Sequence, residues 1–114
     1  MRQLSHEKLH VYQKSTHFLA IAAQIIDFLP KGNATLNDQL RRSSLSIVLN
    51  ITEATGKTSR SNRRYFAIAR GSALECAAAL DAYKILKLAD FALIDEGKEC
   101  IIDIVSMLSK LSQS

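Results

Sequence analysis

Apolar residues recur along this chain at steps of three, four and seven, the spacing that keeps side chains on one face of an α-helix. Val11, Phe18, Ala22, Ile25 and Leu29 form the first seam, which predicts a helix over about residues 7–29 that Pro30-Lys31-Gly32-Asn33 stops. Leu36, Leu40, Ser44, Ile47, Ile51 and Ala54 predict a second helix over about 36–55, with Gly56 as its C′ residue. The third seam, Phe66, Ala69, Ala73, Cys76, Leu80 and Tyr83, predicts a helix over about 60–88 that Thr58 or Ser59 caps. Ile94, Gly97, Ile101, Ile104, Leu108 and Leu111 make the last seam, which follows Asp90 as a capping side chain and runs out in Ser112-Gln113-Ser114. Helices of this length joined by a few residues must alternate in direction, because a short connection cannot carry the chain back along about 30 Å. The predicted fold is all-α: one antiparallel up-down four-helix bundle over residues 1–114.

Composition agrees with the pattern. A chain of 114 residues has room for one domain, and 47% hydrophobic with 23% charged residues supports a packed core rather than disorder. Four glycines and one proline are too few for the turns of an all-β fold. No stretch approaches about 18 apolar residues, and residues 1–10 contain no apolar signal segment, so a cytoplasmic protein without membrane contact is expected. Cys76 and Cys100 are too far apart for a CxxC motif and too few for a disulfide framework; reduced thiols on or beside the apolar seams are the expectation.

Little in the chain points to catalysis. His6, His10 and His17 fall on one predicted helical face, and an i, i+4 pair can hold a metal with a third ligand. His6-Glu7-Lys8-Leu9-His10 has the HExxH spacing, but His17 lies about 10 Å further along the axis, too far to join the same coordination sphere, and no carboxylate cluster completes the set. There is no GxSxG elbow and no glycine-rich phosphate loop. A non-enzymatic protein with no metal and no cofactor is expected.

Charge is more informative. Residues 41–70 hold seven basic side chains, Arg41, Arg42, Lys57, Arg60, Arg63, Arg64 and Arg70, against the single acid Glu53, a net +6, while the remainder of the chain is −2. Arg60, Arg63 and Arg64 sit in the first turns of the third helix, where the macrodipole disfavours cations by about 0.3–1 kcal/mol each. They share one face, and Lys57 in the preceding loop joins them at one end of the predicted bundle. Backbone phosphates of RNA or DNA are the commonest polyanion to meet such a patch, with helix N-terminal amides adding donors. The alternative is a solvated end that serves solubility only. Arg41 facing Glu75, and Arg63 facing Glu53, would absorb part of the charge if the second and third helices pair about their turn.

The third helix is apolar on a second side as well: Ala67, Gly71, Leu74, Ala78 and Ile85 form a stripe away from its seam. The second helix shows a similar excess at Leu45, Val48 and Leu49. One layer of four helices has nothing to cover these surfaces, which points to a homo-oligomer with Leu45, Leu49, Ala67, Gly71, Leu74 and Ala78 at the contact.

Three stretches carry a family resemblance: Arg41-Arg42-Ser43-Ser44-Leu45-Ser46-Ile47 with Asn50-Ile51-Thr52-Glu53, Tyr65 through Glu75, and the opening Leu9-His10-Val11-Tyr12-Gln13-Lys14. Together they resemble the four-helix-bundle proteins encoded in bacterial 23S rRNA intervening sequences, and the resemblance covers nearly the whole chain. That family is similar in fold to the accessory variability proteins of diversity-generating retroelements, basic pentameric barrels that bind nucleic acid and a reverse transcriptase. The resemblance implies a homo-oligomer of five subunits, nucleic acid as a partner, and a reverse transcriptase or other protein as a further one. An oligomeric adaptor that docks such a protein, with no direct nucleic-acid role, is the alternative function. Val48 stands where the family often has proline, Ala54 where it has glycine, and Asn62 where it usually has an aromatic residue. A straighter second helix and a looser start to the third are expected from these departures.

Overall fold

The computed structural model describes residues 3–27 and 33–113. After a 3-10 turn, Ser5–Lys8, come four helices: α1 (His10–Asp27), α2 (Ala34–Thr55), α3 (Ser59–Ile85) and α4 (Phe91–Gln113). No strand occurs among the described residues. Leu29, the Pro30-Lys31-Gly32 stop and Ser114 lie outside the described residues. No helix among those described is long and apolar enough to cross a membrane.

Each helix packs on two neighbours, α1 on α2, α2 on α3, α3 on α4 and α4 back on α1, with α2 and α3 in the most extensive contact. One core results, and the seams build it: Phe18, Ile25, Leu40, Ile47, Ile51, Leu80, Tyr83, Ile94, Ile101, Ile104 and Leu108 are almost wholly removed from water. Leu36 and Leu111, at the outer ends of their seams, are half-buried against it. Gly97 allows the closest approach. A Cβ there would stand 3.3 Å from Ile21 Cγ2, 3.4 Å from Leu80 Cδ1 and 3.5 Å from Phe18 Cε1, so α4 meets α1 and α3 through a missing side chain.

Polar contacts fix the helices against one another. Tyr83 Oη donates to Asn37 Oδ1 at 2.8 Å, Gln39 Nε2 to Glu75 Oε2 at 2.9 Å, and the hydroxyls of Ser46 and Ser72 lie 2.8 Å apart, all between α2 and α3. Lys84 pairs with Asp95 at 2.8 Å and Lys98 with Asp81 between α3 and α4; Lys14 pairs with Asp103 at 2.7 Å between α1 and α4.

Helix ends account for most departures from the pattern. The first helix does not run from Glu7: Leu9 is extended at φ −72°, ψ 130°, and the Glu7 carboxylate accepts from the Leu4 N–H, closing the separate 3-10 turn. His6 is therefore off the helix that carries His10 and His17, and its ring meets Tyr12 edge-on at 4.8 Å. The stripe of three histidines does not form. Gly56 ends α2 at φ −89°, so the turn does not use the left-handed conformation that favours glycine at C′. α3 ends at Ile85 rather than Leu88, where Lys87 turns the chain with φ 56°. Thr58 caps α3 by accepting from Ser61 N–H, and Asp90 caps α4 by accepting from Ala92 N–H at 3.1 Å. The start of α3 is regular rather than loose, with Asn62 N–H donating to the Thr58 carbonyl at 2.8 Å.

Candidate nucleic-acid interface

The turn from α2 into α3 is tight. Gly56 N–H donates to the Glu53 carbonyl and Lys57 N–H to the Ala54 carbonyl, both at 3.2 Å, and the Thr58 cap then starts α3. Lys57 Nζ lies 5.6 Å from the centroid of the Tyr65 ring, a cation–π contact that holds the lysine over the first turns of α3. Arg60, Arg63 and Arg64 follow within those turns and are exposed. Their position at a helix N-terminus sets three guanidinium charges against the positive end of the macrodipole, a placement that favours a bound anion.

The ion pairs among the described residues join Lys14 to Asp103, Arg42 to Asp38, Lys84 to Asp95 and Lys98 to Asp81, and His17 Nε2 lies 3.9 Å from Glu96 Oε1. None of them involves Lys57, Arg60, Arg63 or Arg64. The contacts that the charge pattern suggests between Arg41 and Glu75, and between Arg63 and Glu53, are not ion pairs here: Glu75 accepts from Gln39, and Arg42 turns to Asp38, 3.6 Å away one helical turn earlier.

The remaining three arginines stand apart from this cluster. Arg41 and Arg42 lie about 22–24 Å along α2 from Lys57, and one residue's rotation of about 100° sends them to different sides. Arg41 borders α1, in a groove with Leu19, Ala23, Ile26, Asp27 and Ser44. Arg42 borders α3, in a polar groove of about 320 Å³ with Gln39, Ser43, Ser46, Ser72 and Glu75. Arg70 is half-buried and its Nε donates to Ser109 Oγ at 2.7 Å, tying it to α4. Of the seven cations, the structure thus brings together Lys57, Arg60, Arg63 and Arg64.

The apolar excess is on the surface. Leu45 is 45% exposed, Leu49 54% and Leu74 45%, and Ala67, Gly71 and Ala78 are exposed beside them. Leu45 and Gly71 adjoin the Ser46–Ser72 contact in sequence, so α2 and α3 present one outer face. Val48 does not belong to it: its rotation about α2 takes it inward, and only 8% of it is exposed. Ile68 is also 41% exposed, a residue that spacing alone assigns to neither side of α3.

Both cysteines are buried and free. Burial pushes the Cys76 thiol up to about 11, partly offset by its hydrogen bond to Ser43 Oγ at 3.2 Å. The Cys100 thiol is also raised, by burial first, and faces the Lys14 carbonyl. Neither supplies a thiolate near neutral pH. Among the described residues, no three His, Cys, Asp or Glu side chains converge on a point where a metal ion would sit.

The model of a family described as 23S rRNA-intervening sequence protein matches residues 7–110 of this chain. Among solved structures, the chain is similar to a protein of unknown function from the S23 ribosomal protein family of Bacteroides thetaiotaomicron. The two are 22% identical over 91% of this chain and 99% of the other, with a TM-score of 0.82, a likeness of fold. No curated protein matches.

Proposed function

The chain belongs to the 23S rRNA-intervening sequence protein family, and on that footing we propose that it is a non-enzymatic accessory protein that binds RNA or DNA through backbone phosphates at the start of α3. The observation that carries this reading is the cluster of Lys57, Arg60, Arg63 and Arg64: exposed, adjacent, and outside the ion pairs that neutralise other cations of the fold. Contacts of this kind fix a protein on a strand without reading its sequence. Replacing Arg60, Arg63 and Arg64 together with Ser should leave the helical content unchanged and lower affinity uniformly across sequences. An affinity equal to that of the unchanged protein contradicts the site.

The same proposal covers assembly. The order of contacts supports helices that alternate in direction: Asn37 with Tyr83, Gln39 with Glu75 and Ser46 with Ser72 run oppositely along α2 and α3, as do Lys84 with Asp95 and Arg70 with Ser109 along α3 and α4. Leu45, Leu49, Ala67, Gly71, Leu74 and Ala78 then form the contact of a cytoplasmic homo-oligomer, with five subunits as the resemblance to the retroelement accessory proteins implies. Multiplying the arginine cluster around a ring strengthens binding to a long polyanion through effective concentration.

The exposed α2–α3 face also favours a second reading, an adaptor that docks a protein partner such as a reverse transcriptase. Nuclease treatment of a pull-down separates the two. Partners that persist support the adaptor, and partners that vanish support nucleic acid as the bridge.

A further inference from the structure

Cations continue beyond the start of α3. Arg63 and Arg70 are seven residues apart, hence about 10 Å apart on the same flank of the helix. Arg70 donates its Nε–H to Ser109 Oγ beside α4, and its two terminal nitrogens remain as further donors. Lys110 is the next residue, and it shares a groove of about 280 Å³ with His10, Leu9, Val11, Met107 and Leu111. The floor of that groove is almost wholly apolar, while His10 and Lys110 at its edges are exposed. The nearby acids are engaged: Asp103 pairs with Lys14, and the Glu7 carboxylate holds the Leu4 N–H.

We propose that this groove, between the start of α1 and the end of α4, receives an unpaired nucleobase of a single strand whose phosphates lie on Arg63, Arg70 and Lys110. A line of cations, Arg63, Arg70 and Lys110, leading to an apolar slot matches a nucleotide chain, which offers an anionic backbone and a flat, weakly polar base in each unit. A duplex keeps its bases stacked and paired, so only a single strand can fill such a slot. The proposal rests on the nucleic-acid reading above and adds to it the form of nucleic acid and the residues that select it.

The experiment compares binding, by fluorescence anisotropy at low salt, of an oligothymidylate of about 12 nucleotides, an abasic strand of equal length and phosphate count, and a duplex of that length. The oligothymidylate should bind about tenfold tighter than the abasic strand, and the duplex should gain nothing over the abasic strand per phosphate. Met107→Lys places a charged chain of similar length in the slot, so it should bring the base-to-abasic ratio to about one while affinity for the abasic strand holds or rises. Leu111→Lys provides an independent repeat of the test. A ratio of one in the unchanged protein, a ratio unaltered in both variants, or a duplex that binds tightest overturns the proposal. If the abasic strand binds but shows no deficit, the slot alone fails. If no strand binds at low salt, the nucleic-acid reading beneath it fails too.

Discussion

Gly71 offers a perturbation whose effects on folding and on assembly point in opposite directions. It lies inside the 27-residue helix α3, and nothing stands within 4 Å of where its Cβ would be. A glycine within a helix costs about 1 kcal/mol relative to alanine, and arginine ranks close to alanine, so Gly71→Arg should stabilise the separate subunit by about 0.7 kcal/mol. For a domain of this size that raises the melting temperature by roughly 3–4 °C, measured at a dilution where only single subunits are present. Packed helices approach to about 8 Å where small residues line the contact, and a guanidinium placed there is buried without a partner. Gly71→Arg should therefore dissociate the proposed oligomer without loss of helix. Gly71→Ala supplies the same helix propensity without the bulk, so a stability gain common to both variants separates propensity from steric block. Light scattering at tens of micromolar, with circular dichroism on the same samples, reads both effects. The reasoning is refuted if the unchanged protein has the mass of one subunit, or if Gly71→Arg keeps the mass of the assembly.

Two further predictions concern the core. The folded chain binds the protons of Cys76 and Tyr83 more tightly than ordinary thiols and phenols do, with burial raising them from 9.0 to about 11 and from 10.0 to about 12, so unfolding at high pH releases protons. Their contribution to stability is intact below about pH 9 and is lost as pH rises toward 11–12; urea midpoints should fall across that window, less steeply in Cys76→Ala, and a midpoint that rises above pH 9 contradicts the sign. Gly97→Ala should change stability little, because a helix-propensity gain of about 1 kcal/mol offsets the 3.3 Å contact with Ile21, whereas Gly97→Leu should cost about 1–3 kcal/mol through overpacking; urea unfolding of both checks the pair.

How much of this was legible in the sequence follows from what spacing encodes. Residues three and four apart share a helical face, so Phe66, Ala69, Ala73, Cys76, Leu80 and Tyr83 identified both a helix and its buried side, and all six are in the core. Helix ends depend on local hydrogen bonds that apolar spacing does not register. Glu7 reaching the Leu4 N–H and the extended Leu9 removed the expected first turns of α1, and with them the alignment of His6. Counting charge along the chain placed Arg41, Arg42 and Arg70 with the cluster, but rotation about the helix axis sends Arg41 toward α1 and Arg42 toward α3, and Arg70, two turns beyond Arg63, is tied to Ser109 on α4. The converse failure hid Lys110 and His10. They are a hundred residues apart in the chain and share one groove only because α1 packs on α4.

The central claim, that the start of α3 holds a polyanion, is tested most directly by the salt dependence of binding. Affinity for a single-stranded oligonucleotide, measured from low to moderate salt, should fall along a log–log line with a slope of about −0.7 for each phosphate neutralised, hence about −3 if Lys57, Arg60, Arg63 and Arg64 of one subunit each engage one. The slope should become shallower by about 2 when the three arginines are replaced by Ser. Absence of binding at low salt, or a slope that the substitution leaves unchanged, would contradict the account.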